Sequence, residues 1–130
     1  MPNHVSAHDV KLTTSNIKYL ISLWELGAAE RGIRSIDLAR RLETSKPSTH
    51  AMVINLCDKG LAEKDKNTLL HLTADGAVLA ADMARCYDAL IDKLQRFLRL
   101  TQADCRDIAC SILAQVQERL PEFEAAMSEI

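Results

Sequence analysis

Cysteine thiols are the side chains of this sequence with the most distinctive chemistry. Three of them, Cys86, Cys105 and Cys110, lie in the second half of the chain, and Cys57 lies in the first. Thiolates bind thiophilic divalent ions such as zinc, or they oxidise. Packing in an apolar core is the alternative, because free cysteine is among the most buried residue types. Cys57 is expected to be a core residue.

A second group of residues has the chemistry of DNA contacts. Ser45 can cap a helix, and Pro47 fits the first turn of that helix. Arginine and lysine pair with phosphates, and small polar groups at a helix start can reach base edges. A solvated surface is the alternative for any one of these side chains. The residues predicted to contact DNA are Arg40, Arg41, Ser45, Lys46, Pro47, Ser48, Thr49 and His50, with Lys64 and Lys66 from a following hairpin.

Catalytic motifs are absent from the sequence. It contains no glycine-rich phosphate loop, no nucleophile elbow and no H-E-x-x-H segment. His4 and His8 could together bind a transition metal, but a loosely held N-terminal segment argues against it. The chain is therefore expected not to be an enzyme.

Composition indicates a globular, mostly helical protein. The 130 residues include 48% apolar and 26% charged residues, which excludes a disordered chain. Four glycines and three prolines are few for a sandwich or a barrel. The net charge of −2 excludes a broadly polybasic protein. Residues 1–66 carry ten basic and eight acidic residues, so the first half is the better candidate for a nucleic-acid surface.

Neither a membrane span nor a signal peptide is recognisable in the sequence. The longest apolar runs fall short of the roughly 18–20 residues that a bilayer requires, and the N-terminus lacks a basic segment followed by an apolar one. The chain is expected to be cytoplasmic, with no membrane partner and with free thiols.

Apolar periodicity predicts a mainly α fold. Helices are expected from Thr13 to near Gly27 and over 36–42, 46–59, 74–98, 102–120 and 122–130, with a hairpin over 61–73. This order is typical of a winged helix-turn-helix with a two-stranded wing, followed by helices. The predicted domains are a DNA-binding domain over 1–73 and a helical dimerisation and effector region over 74–130. Ile36, Val78, Leu98 and Ile108 are expected to face inward.

Several segments resemble the diphtheria toxin repressor and manganese transport regulator (DtxR/MntR) family. Arg40-Arg41-Leu42-Glu43-Thr44-Ser45-Lys46-Pro47-Ser48-Thr49, continuing to Leu61, resembles its helix-turn-helix. Leu72-Thr73-Ala74-Asp75-Gly76 is similar to its junction between wing and helix, and Asp107-Ile108-Ala109-Cys110 to a ligand segment. The resemblance spans about 13–120 and implies the short form, without the SH3-like domain of longer members.

The resemblance implies a homodimeric repressor that binds double-stranded DNA when loaded with ferrous iron or manganese. The metal-ligand positions of the family are largely substituted here, so that site is expected to be degenerate. A thiophilic metal such as zinc on Cys86, Cys105 and Cys110 is the remaining candidate cofactor. The substituted positions carry Lys18, Cys86, Leu90, Arg106, Leu113 and Ala114, and only Cys110 is retained.

Two alternatives remain open. The multiple-antibiotic-resistance (MarR) regulators share much of the helix-turn-helix pattern and would sense an oxidant or a small organic ligand. A winged helix can also serve as a protein-interaction module. Such a module would have an apolar or acidic surface on the second helix of the helix-turn-helix, predicted over 46–59. Lys46, Ser48 and Thr49 in that helix argue against this alternative.

Overall fold

A computed structural model describes residues 11–130, so His4 and His8 lie outside the described residues. The described part of the chain is mainly helical, with one small antiparallel sheet, which confirms the predicted fold class. Its elements, in chain order, are α1 (Thr14–Glu25), α2 (Ser35–Leu42), α3 (Lys46–Asp58), β1 (Ala62–Lys64), β2 (Leu70–Leu72), α4 (Ala74–Leu98), α5 (Gln102–Val116), a short 3₁₀ helix (Gln117–Arg119) and α6 (Leu120–Met127).

Helix α1 is the centre of the fold. Thr13 and Asn16 form a capping box that fixes its first turn, and Ile17, Leu20 and Leu23 are fully buried. The helix packs against α4 and α5 as well as against α2, α3 and β2. The winged region and the helical region therefore share α1.

The helix-turn-helix consists of α2, a tight turn and α3. Glu43 adopts a left-handed conformation with φ of 54°, which ends α2, and the Ser45 side chain then caps α3. Leu38 is the fully buried residue of α2, whereas Ile36, expected to face inward, is only partly buried. On such a short helix, the spacing of the apolar residues alone cannot decide which of them are buried.

The wing is a hairpin with an additional bridge. β1 pairs antiparallel with β2, with Glu63 opposite His71. Ile33, just before α2, exchanges two backbone hydrogen bonds with Leu70, of 2.9 and 2.8 Å. This bridge ties the hairpin to the start of the helix-turn-helix, and the sequence pattern did not predict it.

The C-terminal helices differ from the prediction in their boundaries. α5 ends at Val116 instead of at Leu120, and α6 begins at Leu120. Pro121 lies in the first turn of α6, where its missing N–H has no helical partner to lose, so the proline starts this helix.

Three side chains predicted to face inward are exposed. Val78 and Leu98 are 59% and 60% exposed, and Ile108 is 37% exposed. Apolar periodicity shows which residues share the hydrophobic face of a helix. It cannot show how much of a broad face the neighbouring helices cover.

None of the helices within 11–130 combines the length and apolarity that crossing a bilayer requires.

Candidate functional site

The N-terminus of α3 is exposed and polar. The Ser45 hydroxyl accepts a hydrogen bond from the Ser48 backbone N–H at 3.2 Å and donates one to the Ser48 hydroxyl at 2.9 Å. Lys46, Pro47 and His50 are exposed beside this cap. The exposed helix end combines the positive end of the helix dipole with a lysine, which together attract phosphate.

Thr49 does not belong to this exposed surface, contrary to the sequence prediction. It is 1% exposed, and its hydroxyl shares a hydrogen bond of 2.9 Å with Thr44, which also accepts one from the Tyr19 hydroxyl at 3.3 Å. The Thr49 side chain therefore holds α3 against the turn and α1, and it cannot contact a base.

Ile54 is an exposed apolar residue on α3 that the sequence analysis missed. It is 46% exposed, and it lies four residues beyond His50, so the two side chains share one helix face with Pro47. The i, i+3, i+7 spacing of Pro47, His50 and Ile54 could have revealed it. Apolar side chains at such a position can contact the methyl group of thymine.

The predicted phosphate-binding cations fall into two groups. Arg40, Lys64 and Lys66 are exposed and take part in no ion pair within residues 11–130. Arg41 instead pairs with Glu25 of α1 at 2.8 Å and lines a pocket described below. Arg41 therefore links α2 to α1, and a DNA phosphate would have to compete with Glu25 for it.

The turn of the wing is organised by Asp65. Its Oδ1 accepts hydrogen bonds from the backbone N–H groups of Asn67 and Leu69, at 2.8 and 3.0 Å, and its Oδ2 lies 2.7 Å from Nε2 of His71. The hydrogen bond with His71 and the two backbone bonds hold the pKa of Asp65 below its usual range. This arrangement fixes the hairpin that carries Lys64 and Lys66.

The cysteines do not form the predicted metal site. Cys86, Cys105 and Cys110 are all buried, and residues 11–130 contain no cluster of three His, Cys, Asp or Glu side chains suited to a metal. Burial raises the pKa of Cys86 and of Cys110 to about 11. Both thiols are therefore protonated at neutral pH, which also disfavours oxidation. Cys57 is partly buried and packs against the core.

A pocket of about 360 Å³ lies between α1, the end of α2, α4 and α5. Two of its cations are held in ion pairs: Lys18 with Asp107 at 2.7 Å and Arg41 with Glu25. Its lining residues are Lys18, Ile21, Ser22, Glu25, Arg41, Tyr87, Arg106 and Cys110.

This pocket includes three of the positions that the family resemblance assigns to metal ligands, namely 18, 106 and 110. Manganese and ferrous iron prefer carboxylate and imidazole ligands. The pocket offers a single carboxylate, Glu25, and no imidazole, whereas it has three cationic side chains. The residues present do not fit manganese or ferrous iron.

The solved structures that match this chain have the fold that the sequence resemblance implies. The structure described as the manganese regulator SloR matches with a TM-score of 0.63 and 28% identity, over 86% of this chain and 54% of that one. A structure of ScaR with bound Zn²⁺ matches at 25% identity with a TM-score of 0.58, over 83% of this chain and 52% of that one. This chain has a DtxR/MntR-like fold.

A further DtxR/MntR-like structure, the IdeR of T. acidophilum, matches with a TM-score of 0.64 and 19% identity, over 93% of this chain and 56% of that one. The chain thus spans just over half the length of these structures. SloR is described as a manganese regulator and ScaR as a manganese-activated repressor, and neither description is that of an enzyme. No family model matches the sequence, and no curated protein matches it.

The composition of this pocket is a feature of the DtxR/MntR-like chain that the sequence predicted only in part. The resemblance pointed to Lys18 and Arg106 as substituted positions, but it gave no sign that Glu25, Arg41 and Tyr87 would join them. These residues lie on three different helices, so only the packing of the helices reveals the group.

Proposed function

We propose that this chain is a sequence-specific, double-stranded DNA-binding transcription regulator of the repressor type, acting as a homodimer in the cytoplasm. The observation that carries the proposal is the N-terminus of α3, where Lys46, Ser48 and His50 are exposed around a capped helix start. Helix-turn-helix proteins insert this end of the second helix into the major groove. Lys64 and Lys66 of the wing are proposed to contact the phosphates of a second stretch of the DNA backbone.

Two features separate this function from that of a protein-interaction module. The exposed start of α3 carries a lysine and a histidine, and no carboxylate lies on α3 before Asp58. Its exposed large apolar residue is Ile54 alone, too little for an apolar docking face. Positive charge next to small polar groups suits a polyanion better than a protein partner.

The proposed homodimer uses the outer face of α5. Ile108 is exposed and Ile112 is partly exposed, and together with Asp107, Ser111 and Gln115 they line a shallow, mostly apolar groove. Phe97 and Leu98 add exposed apolar surface at the end of α4. Stable dimers bury apolar surface of this kind.

The regulator is also proposed not to respond to manganese or ferrous iron. Support comes from the pocket, where Lys18 and Arg106 place positive charge at positions at which the family resemblance calls for ligands. A divalent cation would be repelled by both side chains, and the protonated thiol of Cys110 would have to lose its proton to bind it.

The experiment is selection of a binding site from random-sequence duplex DNA, followed by fluorescence anisotropy at several salt concentrations. Each phosphate contact contributes about 0.9 to the slope of log K against log salt, so Lys46→Gln and Lys64→Gln should each flatten the slope by about that amount. Arg96→Gln, on α4 and paired with Asp92, removes the same charge elsewhere and should leave the slope unchanged. Failure to enrich any sequence, or an affinity independent of salt, would refute the proposal.

A further inference from the structure

The pocket between α1, α4 and α5 has the electrostatics of an anion site. Lys18, Arg41 and Arg106 carry three positive charges on its walls, against one negative charge from Glu25. Asp107, which pairs with Lys18 at 2.7 Å, adds a second negative charge beside the pocket, so the site has a net charge of +1 at neutral pH, from three cations less two carboxylates. A pocket with this balance attracts negative charge.

Arg106 is the side chain best placed to hold such a ligand. It is partly buried, forms no ion pair within residues 11–130, and lines the same pocket as Tyr87. A guanidinium presents several N–H donors in a planar fork that matches a carboxylate or a phosphate. The hydroxyl of Tyr87, on another wall of the pocket, can donate a further hydrogen bond to the ligand.

The other two cations are held by contacts that a ligand can replace. Lys18 pairs with Asp107, whose side chain is 67% exposed, and Arg41 pairs with Glu25. Exposed ion pairs of this kind contribute little to stability, about 0–1 kcal/mol. An anion entering the pocket can therefore attract Lys18 away from Asp107 without a large loss elsewhere.

The size and the apolar lining of the pocket restrict the size and type of ligand that it can hold. A volume of about 360 Å³ lies at the lower end of the range of small-molecule sites, about 300–1,000 Å³. Ile21 contributes an apolar side chain to the lining. This apolar part of the pocket suits a short carbon skeleton between charged groups.

We propose that this pocket binds a small dianion bearing carboxylate or phosphate groups, with Arg106 and Tyr87 as its main contacts and Lys18 as a further cation. This site occupies the place where the family resemblance calls for a metal cation, with the opposite charge preference. The proposal concerns binding to the pocket and holds whether or not the chain binds DNA.

The test is isothermal titration of the full chain with succinate and with inorganic phosphate, at constant ionic strength set by sodium chloride. Binding of at least one probe with a Kd of about 1 mM or tighter is expected. Arg106→Gln should weaken it about tenfold or more, and Arg106→Lys should restore part of it. The matched control, Arg96→Gln, removes a positive charge from α4 outside the pocket and should bind as the wild type does.

Circular dichroism of each variant confirms that it is folded, and Tyr87→Phe gives a second variant with almost no change in volume. Tyr87→Phe should also weaken binding, since it removes one donor. The proposal is overturned if neither probe binds, or if Arg106→Gln and Arg96→Gln have the same affinity. Because no DNA is present in the titration, this result is independent of the proposed regulatory function.

Discussion

Lys46 and Thr49 lie three residues apart at the start of α3 and have different environments. Lys46 is exposed, whereas Thr49 is buried and bonded to Thr44. Their residue types alone suggested a common role in DNA binding. The distinction depends on which side of α3 faces the turn, and small polar side chains give no apolar periodicity from which this could be read.

Replacing Thr49 with valine is expected to destabilise the fold. Valine keeps the shape of threonine but leaves the Thr44 hydroxyl with only its longer bond to Tyr19. The loss should be about 1 kcal/mol in the free energy of unfolding, measured by urea denaturation. Ser48→Ala, at an exposed position, should change stability by less than about 0.5 kcal/mol. Equal effects of the two substitutions would contradict a structural role for Thr49.

The turn of the wing should loosen in acid. The pKa of Asp65 is lower in the folded chain than in the unfolded one, so its stabilising contribution is complete above the unfolded pKa. It is lost as pH falls from about 4 through the folded value. Hydrogen-exchange protection of the Leu69 amide, which donates to Asp65, should fall over this range.

Asp65→Asn provides the comparison for this effect. The amide can still accept from the backbone N–H groups, but it has no charge to lose between neutral and acid pH. Protection of the Leu69 amide should therefore be lower than in the wild type at neutral pH and nearly constant as the pH falls. The assignment to Asp65 fails if both proteins lose protection along the same curve.

At the scale of elements, the sequence predicted the helix-turn-helix, the hairpin and the full extent of α4. Strong local signals explain this success: Ser45 and Thr73 cap their helices through side-chain bonds, as their residue types suggest. The bridge between Ile33 and Leu70 and the junction of α5 with α6 were missed. The first is a long-range backbone contact, and the second depends on how the last helices pack on α4.

The junction of the wing with α4 explains one glycine of the family-like segment. A Cβ atom on Gly76 would lie 1.9 Å from the carbonyl oxygen of Leu61, which is backbone and cannot rotate away. Glycine is therefore required by the close approach of the first turn of α4 to Leu61, the residue just before β1. The L-T-x-x-G pattern is a packing requirement at this point.

Gly76→Ala is expected to separate α4 from the wing. Overpacking lowers the free energy of unfolding by about 1–3 kcal/mol. Because the added Cβ would meet rigid backbone, we expect the loss to lie at the upper end of this range. The control is Gly60→Ala, where φ is +76° but no atom lies within 4 Å of the added Cβ, so only conformational strain of about 1–2 kcal/mol applies. Thermal unfolding should show the larger loss for Gly76→Ala, and the reverse order would contradict the close approach.

At the scale of the whole molecule, α1 and Arg41 link the helix-turn-helix region to helices α4 and α5. α1 packs on the helix-turn-helix and on α4 and α5, and Arg41 of α2 reaches the same pocket as Arg106 of α5. A ligand in that pocket would contact both halves at once. The sequence could supply the charges of this pocket but not their proximity, since its residues come from four helices.

The proposed dimer should depend on the exposed face of α5. Ile108→Asp places a charge among the apolar residues of that face, and burying it in an interface would be unfavourable. Sedimentation equilibrium should show a monomer for this variant at micromolar concentration, with the wild type dimeric. Ile130→Asp, at an exposed position at the chain end, is the matched control and should remain a dimer. A dimeric Ile108→Asp would place the interface elsewhere.

Manganese should have no effect on the folded chain or on its affinity for DNA. A ligand that binds only the native state raises its stability by about 2.7 kcal/mol at a hundred times its Kd, so a functional manganese site would be visible in thermal unfolding at micromolar metal. No shift is expected, because Lys18 and Arg106 repel a cation and Glu25 is the single carboxylate of the pocket. Lys18→Asp reverses one of these charges and should increase manganese affinity over the wild type. Submicromolar manganese binding by the wild type, together with tighter DNA binding, would contradict this prediction.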